Sequence, residues 1–262
     1  MSKSQILVIV LTSFLFLGLY FGGSLKPKEI KNAEKVRAVE VESTDINALL
    51  MAAKPNLSAR QEADLVALES KLNESETDLD KIETYKELAS AWYSFNNPTL
   101  SAYYAEEVAE MENTEDAWSI TGTTYVIALQ SSKEEKIKKF TSKRAIKAFE
   151  NAISINPENI QHKVNLAVVY KEFPPENNPM MGVLMLLDLN KKHPENIGVL
   201  LTIAQFGIET NQLDKAMGRI ETALKLEPEN PRANCLMAKV LEKKGNFADS
   251  QVFKEKCLKL RK

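Results

Sequence analysis

Apolar residues along most of this chain recur at intervals of three or four, which gathers them on one face of a helix, and no stretch sustains the alternation of a half-buried strand. Leu65, Leu68 and Leu72 make one such stripe, Leu88, Ala89 and Trp92 a second, and Ala102, Ala105 and Val108 a third. Polar punctuation divides them. Ser43-Thr44-Asp45 offers an N-cap for a short helix that ends before Pro55, and Ser58 with Gln61 spells a capping box for the next. Residues 73–77 interrupt that helix, and Asn97-Pro98 ends the one carrying Trp92. Helix therefore succeeds helix, and the pattern predicts an all-α chain.

The N-terminus breaks this rule. Residues 4–25 carry no charged side chain and residues 6–21 are almost wholly apolar. As a helix they would span roughly 33 Å, enough for a hydrocarbon core of about 30 Å. Lys3 before the run and Gly22-Gly23-Ser24 after it also fit a secretory signal, but the apolar run is long for one, and the pattern favours an uncleaved single-pass anchor at the bacterial inner membrane. Lys26, Lys28, Lys31, Lys35 and Arg37 would hold their side in the cytoplasm, whereas the short Lys-first tail suits export of the bulk of the chain. The two indications conflict over cytoplasm or periplasm. Residues 26–42 read as a charged linker, and residues 43–78 as capping helices at the N-terminal end of a longer helical region.

Residues 118–157 carry the most specific spelling in the chain. Trp118, Gly122 and Tyr125 fall at W-x3-G-x2-Y, and Ala145, Phe149, Ala152 and Pro157 at A-x3-F-x2-A-x4-P. This resembles the tetratricopeptide (TPR) signature, whose repeat is about 34 residues. Weaker copies come after it: Leu166, Ala167, Tyr170, Gly182 and Leu186 before Pro194, then Ile203, Ala204, Gly207, Ala216, Ile220 and Ala223 before Pro228, then Met237, Ala238 and Leu241. Pro194 and Pro228 are 34 residues apart, and Pro157 and Pro194 are 37 apart because residues 173–179 lengthen a turn. The resemblance implies an array over residues 79–262, in repeats 79–114, 115–159, 160–196, 197–230 and 231–262, wound as a right-handed superhelical solenoid of about five hairpins. Small residues at the crossings (Gly122 with Ala145, Ala167 with Gly182, Ala204 with Ala216) are expected to let paired helices approach closely.

In that family the first helices line a concave groove that holds peptides or helices. Transferred by position, the partner-binding side would comprise Gln161, Asn165, Val168 and Lys171, then Leu201, Thr202, Gln205 and Glu209, then Arg232, Cys235 and Lys239. The slots that form a carboxylate clamp in one subgroup hold Val164, Val168, Leu201 and Gln205 here, which argues against that ligand.

Charge adds an asymmetry to the net −2: residues 26–116 hold 20 acidic and 10 basic residues, residues 117–262 hold 16 and 23. The second repeat exceeds the norm by about 11 residues near positions 130–143, and this basic insert contains Lys133, Lys136, Lys138, Lys139 and Lys143, followed by Arg144 and Lys147. A binder of nucleic acid or acidic lipid through residues 133–147 and the basic C-terminal half is the alternative function. Only Phe140 is interleaved with the lysines, which argues against nucleic acid. Cys235 and Cys257 lie outside any C-x2-C or Cys/His cluster and read as small apolar packing residues, with neither a disulfide framework nor a zinc site expected. His162 and His193 have no ligand-spaced neighbours, acid pairs such as Glu106-Glu107 read as solvated helix faces, and no nucleophile or phosphate-binding motif occurs. The expectation is a non-enzymatic, membrane-anchored scaffold without cofactor or metal, binding a protein or peptide partner that the sequence does not name. Nothing in the pattern bears on self-association.

Overall fold

The computed structural model describes residues 46–261, and all regular structure among them is helical. The chain divides into two units, residues 1–48 and 49–262, and every hairpin lies in the second. After α1 (Ile46–Ala53), which straddles the division, a 3-10 turn at Lys54–Asn56 contains Pro55. The helix α2 (Ala59–Glu74) starts on the capping box read from the sequence: Gln61 N–H donates to Ser58 Oγ and Ser58 N–H to Gln61 Oε1.

Five antiparallel hairpins come next. They pair α3 (Asp78–Ser94) with α4 (Pro98–Glu112), α5 (Glu115–Ser131) with α6 (Glu135–Ile155), α7 (Ile160–Glu172) with α8 (Met181–Lys192), α9 (Ile197–Glu209) with α10 (Leu213–Leu226), and α11 (Pro231–Lys243) with α12 (Phe247–Leu260). Each second helix also packs on the first helix of the next hairpin. First helices touch in series, α5 on α7, α7 on α9 and α9 on α11, while second helices meet one another at most marginally, so the first helices lie on the inner side of the stack.

The turns inside hairpins come in two kinds. Between α3 and α4, α9 and α10, and α11 and α12, the chain reverses through a left-handed residue, Asn96 (φ 59°), Asn211 (φ 60°) or Gly245 (φ 79°). In each, the N–H of the next residue returns to a carbonyl five positions back: Asn97 to Trp92, Gln212 to Gly207, Asn246 to Leu241. Asparagine and glycine tolerate this backbone where β-branched residues do not. The other two hairpins carry the added residues. In the second, the extra residues do not make a loop: they lengthen the helices, α6 to 21 residues, and leave a connection of three. Phe140 on the added turns packs edge-on against Tyr125, their centroids 6.5 Å apart, and so gives the extension an apolar anchor.

The core runs through the stack as linked clusters rather than one centre. Tyr125, Phe149, Ala145, Leu166 and Val169 join the second hairpin to the third. Val164, Leu186, Val199 and Phe206 join the third to the fourth, and Ile220, Ala223, Leu236 and Met237 the fourth to the fifth. A hairpin alone would expose one of these faces, which is why such arrays are stable only as stacks. The crossing residues are small for differing reasons. A Cβ on Gly182 would sit 2.3 Å from the Ala167 carbonyl oxygen, a contact with backbone that cannot yield, whereas one on Gly122 would meet the Phe149 ring at 2.7 Å rather than Ala145. Against Ala216 the close neighbour is Gly207, at 3.2 Å from an added Cβ.

The expected membrane location is overturned for this part of the chain: no helix among the described residues is long and apolar enough to cross a membrane. The longest, α6, carries charged side chains on most of its turns, and of the two most apolar, α1 has 8 residues and α9 only 13, or about 20 Å of helix against about 30 Å of hydrocarbon. The apolar run 4–25 and the linker 26–42 lie outside the described residues.

Candidate interaction surface

Three first helices carry the expected partner-binding residues, and their starts are fixed by one repeated device. Pro-Glu-Asn occurs at 175–177, in the turn between α7 and α8, and immediately before these three helices at 157–159, 194–196 and 228–230. Each of the last three asparagines caps the next helix: Asn159 Oδ1 accepts from Gln161 N–H, Asn196 Oδ1 from Val199 N–H, and Asn230 Oδ1 from Ala233 N–H. The recurrence before α7, α9 and α11 was available in the sequence, although the copy at 175–177 caps no helix.

Side chains on these helices form a polar ladder across the inner face. Lys171 of α7 pairs with Glu209 of α9 at 2.6 Å and with Glu172 at 2.9 Å, and its ammonium lies 5.4 Å from the centre of the Phe206 ring. Burial opposes its charge, but the hydrogen bonds to Glu209 and Glu172 outweigh that and hold its pKa above the ordinary lysine value. Gln205 Nε2 donates to Glu209 at 3.4 Å, while Gln205 Oε1 accepts from Arg232 of α11 at 3.1 Å. Arg232 also donates to Thr202 Oγ1, at 3.1 Å. Gln161 and Asn165 form a separate pair on α7, at 2.8 Å. Among the described residues the guanidinium of Arg232 thus meets two neutral acceptors and no carboxylate, and surrounding protein lowers its pKa. Lys239 is exposed two turns farther along α11.

Two of the expected residues are not open surface. Leu201 is in the core with Leu200 and Ile220, and Thr202 is buried, reaching the face only through its hydroxyl. A third, Cys235, is tied in a disulfide to Cys257 with Cα atoms 4.9 Å apart, which overturns the reading of both as packing thiols. Their small-residue slots on α11 and α12 face each other across the hairpin, a juxtaposition that the 22-residue separation does not reveal.

The basic insert separates into two groups. Lys133 and Lys143 face solvent, Lys136 pairs with Glu134 at 3.5 Å, and Lys138 and Lys139 are half-buried. Arg144 instead turns inward. It donates to Glu106 at 2.6 Å and lies 4.7 Å from the centre of the Phe140 ring. Lys147 reaches Glu106 at 3.2 Å and Glu110 at 2.7 Å, and the Tyr125 hydroxyl donates to Glu106 at 2.7 Å. Glu106 is 2% exposed, so its reading as part of a solvated face is wrong. Apolar flanks and three donors convert it into the hub of α4, α5 and α6. Burial and the adjacent Glu106 charge push the Tyr125 hydroxyl pKa up.

A second polar cluster ties the second hairpin to the third. Glu115, in the first turn of α5, accepts from Asn156 at 2.8 Å and Asn159 at 2.7 Å and lies 2.7 Å from His162 Nε2. Hydrogen bonds from Asn156, then from His162 and Asn159, lower its pKa from 4.5 to about 2. A depressed carboxylate contributes stability that is complete above its unfolded pKa and is lost as pH falls through the folded value. Glu115→Gln is therefore expected to flatten the stability profile between pH 4.5 and about 2 relative to the parent. Urea midpoints over that range measure it, and parallel profiles would refute the assignment. No group of three or more His, Cys, Asp or Glu side chains that could hold a metal occurs among the described residues.

No protein-family model matches the sequence, and no curated protein matches it significantly. Among solved structures, MamA from Desulfovibrio magneticus RS-1 aligns at 14% identity over 71% of this chain and 97% of its own, with TM-score 0.41. YrrB, described as a TPR protein with an unusual peptide-binding site, aligns at 16% identity over 74% of this chain and 92% of its own, with TM-score 0.37. PilF from Pseudomonas aeruginosa aligns at 14% identity over 68% of this chain and 75% of its own, with TM-score 0.43. These likenesses are distant, and it is the chain's own features that decide: five stacked antiparallel hairpins with Trp118, Gly122, Tyr125, Ala145, Phe149 and Ala152 buried at the signature positions give it the tetratricopeptide-repeat fold.

Proposed function

We propose that this protein is a non-enzymatic interaction scaffold that holds a peptide or helix of a partner protein along the inner face of α7, α9 and α11. The observation that carries the reading is the ladder Lys171–Glu209–Gln205–Arg232–Thr202, which sets side-chain donors and acceptors in fixed positions across three successive helices. Pre-ordered polar groups on rigid helices bind at lower entropic cost than the same groups on loops. Gln161, Asn165, Val168 and Lys239 extend the surface to either side. In this reading the working unit is the array 79–262, with α2 packed on its first helix.

A random peptide library displayed on phage, selected on the full chain, supplies the probes, and fluorescence anisotropy of the selected peptides gives affinities. Joint replacement of Gln205 and Arg232 by alanine is expected to weaken binding about tenfold or more, roughly 1.4 kcal/mol, with helicity unchanged. Replacing Lys133 and Lys143 is expected to leave affinity unaltered. The opposite pattern, loss at the lysines with none at the ladder, would overturn the proposal in favour of the basic insert.

A further inference from the structure

The two cysteines of the chain stand in unlike surroundings. Cys235 is partly exposed on α11, while Cys257 on α12 is 7% exposed and packed against the hairpin. Both are consumed by the disulfide, and no cysteine of the chain is free. On α11 the cations Arg232 and Lys239 lie three residues before and four after Cys235, which puts them on its side of the helix, one turn away in each direction. The single carboxylate of that helix, Glu242, is two turns away. On α12, Lys256 adjoins Cys257, and Glu255 accepts a hydrogen bond from Gln251 at 3.1 Å.

We propose that the Cys235–Cys257 bond is a thiol–disulfide exchange site, entered at the Cys235 sulfur by a small anionic thiol such as a glutathione-type tripeptide. Attack on a disulfide needs a thiolate with access to one sulfur, and the rate depends on access and local charge. Here access selects Cys235, and the flanking cations draw an anionic thiol to it. In the first step the incoming thiolate sulfur bonds to Cys235 Sγ, the Cys235–Cys257 bond breaks, and Cys257 leaves as a thiolate that takes a proton from solvent. In the second step another thiolate attacks the external sulfur of the mixed disulfide. That releases the tripeptide disulfide and leaves Cys235 as a thiolate, so two thiols are oxidised and the protein pair gains two electrons. Exchange removes the covalent tie between α11 and α12 and leaves packing and contacts such as the Ser250 hydroxyl on the Ala238 carbonyl, at 2.9 Å, to hold the last hairpin. The site does not depend on the peptide-binding reading, since its chemistry is read at sulfur.

The test treats the oxidised full-length protein with glutathione under native conditions, quenches with iodoacetamide and maps both cysteines by mass spectrometry. Glutathione is expected on Cys235 and the alkyl label on Cys257 at early times. Glutathione distributed equally, or found first on Cys257, would overturn the proposal, as would a bond that exchanges only after unfolding in urea. Cys257→Ser, checked for native helicity by circular dichroism, leaves Cys235 as a lone thiol and is expected, when treated with the tripeptide disulfide (oxidised glutathione), to form a mixed disulfide at Cys235 with release of one equivalent of glutathione. Joint Arg232→Gln and Lys239→Gln replacement is expected to slow exchange with glutathione several-fold while leaving exchange with neutral 2-mercaptoethanol nearly unchanged. Equal rates with glutathione before and after that replacement would remove the electrostatic part of the assignment.

Discussion

Trp118→Ala is expected to lower the stability of the array by about 3–5 kcal/mol, the cost of emptying a large buried aromatic site. The ring is 4% exposed and packs among Ala109, Ala117, Ala148 and Ala152, four residues too small to close the gap left behind. Its Nε1–H donates to Asn113 Oδ1 at 3.1 Å, and Asn113 is the left-handed residue (φ 47°) that turns the chain from α4 into α5. Lys147 also lies 5.7 Å from the centre of the ring. The substitution therefore empties the seam between the first and second hairpins and frees the turn that sets their angle. Urea unfolding monitored by circular dichroism measures the loss, and an unchanged midpoint would mean that the indole does not sit in the core.

Glu106→Ala is expected to cost about 3 kcal/mol, the lower end for breaking a buried charge network, because Arg144 keeps some contact with water. Its removal leaves the Tyr125 hydroxyl, on a fully buried residue, without the carboxylate acceptor and leaves Arg144 without its carboxylate partner, while Lys147 keeps Glu110. Glu106→Gln keeps an acceptor for Tyr125 and deletes only the charge, so a smaller loss, roughly 1–2 kcal/mol, is expected. Equilibrium unfolding of the two variants separates the hydrogen bond from the charge. Equal losses would mean that the charge contributes nothing beyond its hydrogen-bonding capacity. Because the carboxylate is shielded, the difference should persist when salt is raised, unlike that of an exposed pair.

These two sites also locate the limit of the sequence. Trp118 was legible because the repeat assigns its position a fixed environment, and the burial found there results from the hairpin crossing. Glu106 was not, because local pattern gives it the same standing as Glu107 or Glu110, on a helix with one apolar face. Its role depends on Tyr125, Arg144 and Lys147, 19 to 41 residues away, and no local periodicity encodes that meeting. The same holds for Glu115 with His162, 47 residues apart, and for the insert, whose lysines and arginine look alike in sequence yet divide between solvent and a buried acid.

The polar ladder falls between these cases. Transfer by repeat position gathered Lys171, Thr202, Gln205, Glu209 and Arg232 as neighbours on successive first helices, and the structure links them in one chain of contacts. It also withdrew Leu201 into the core and joined Cys235 to α12. Repeat position gives the direction of a side chain to within about a turn, but burial depends on how closely the neighbouring hairpin packs.

By itself the sequence determined that residues 46–261 are helical and paired as repeat hairpins, and set helix boundaries such as the capped start at Ser58 and the break at Asn97-Pro98. These are properties of spacing, capping and turn chemistry within a few residues. Tertiary structure alone decided which polar groups are spent inside and which face outward, and that the two cysteines meet. The physical reason is that desolvation and pairing are set by atoms brought together from different hairpins, whereas helix formation is set by neighbours along the chain.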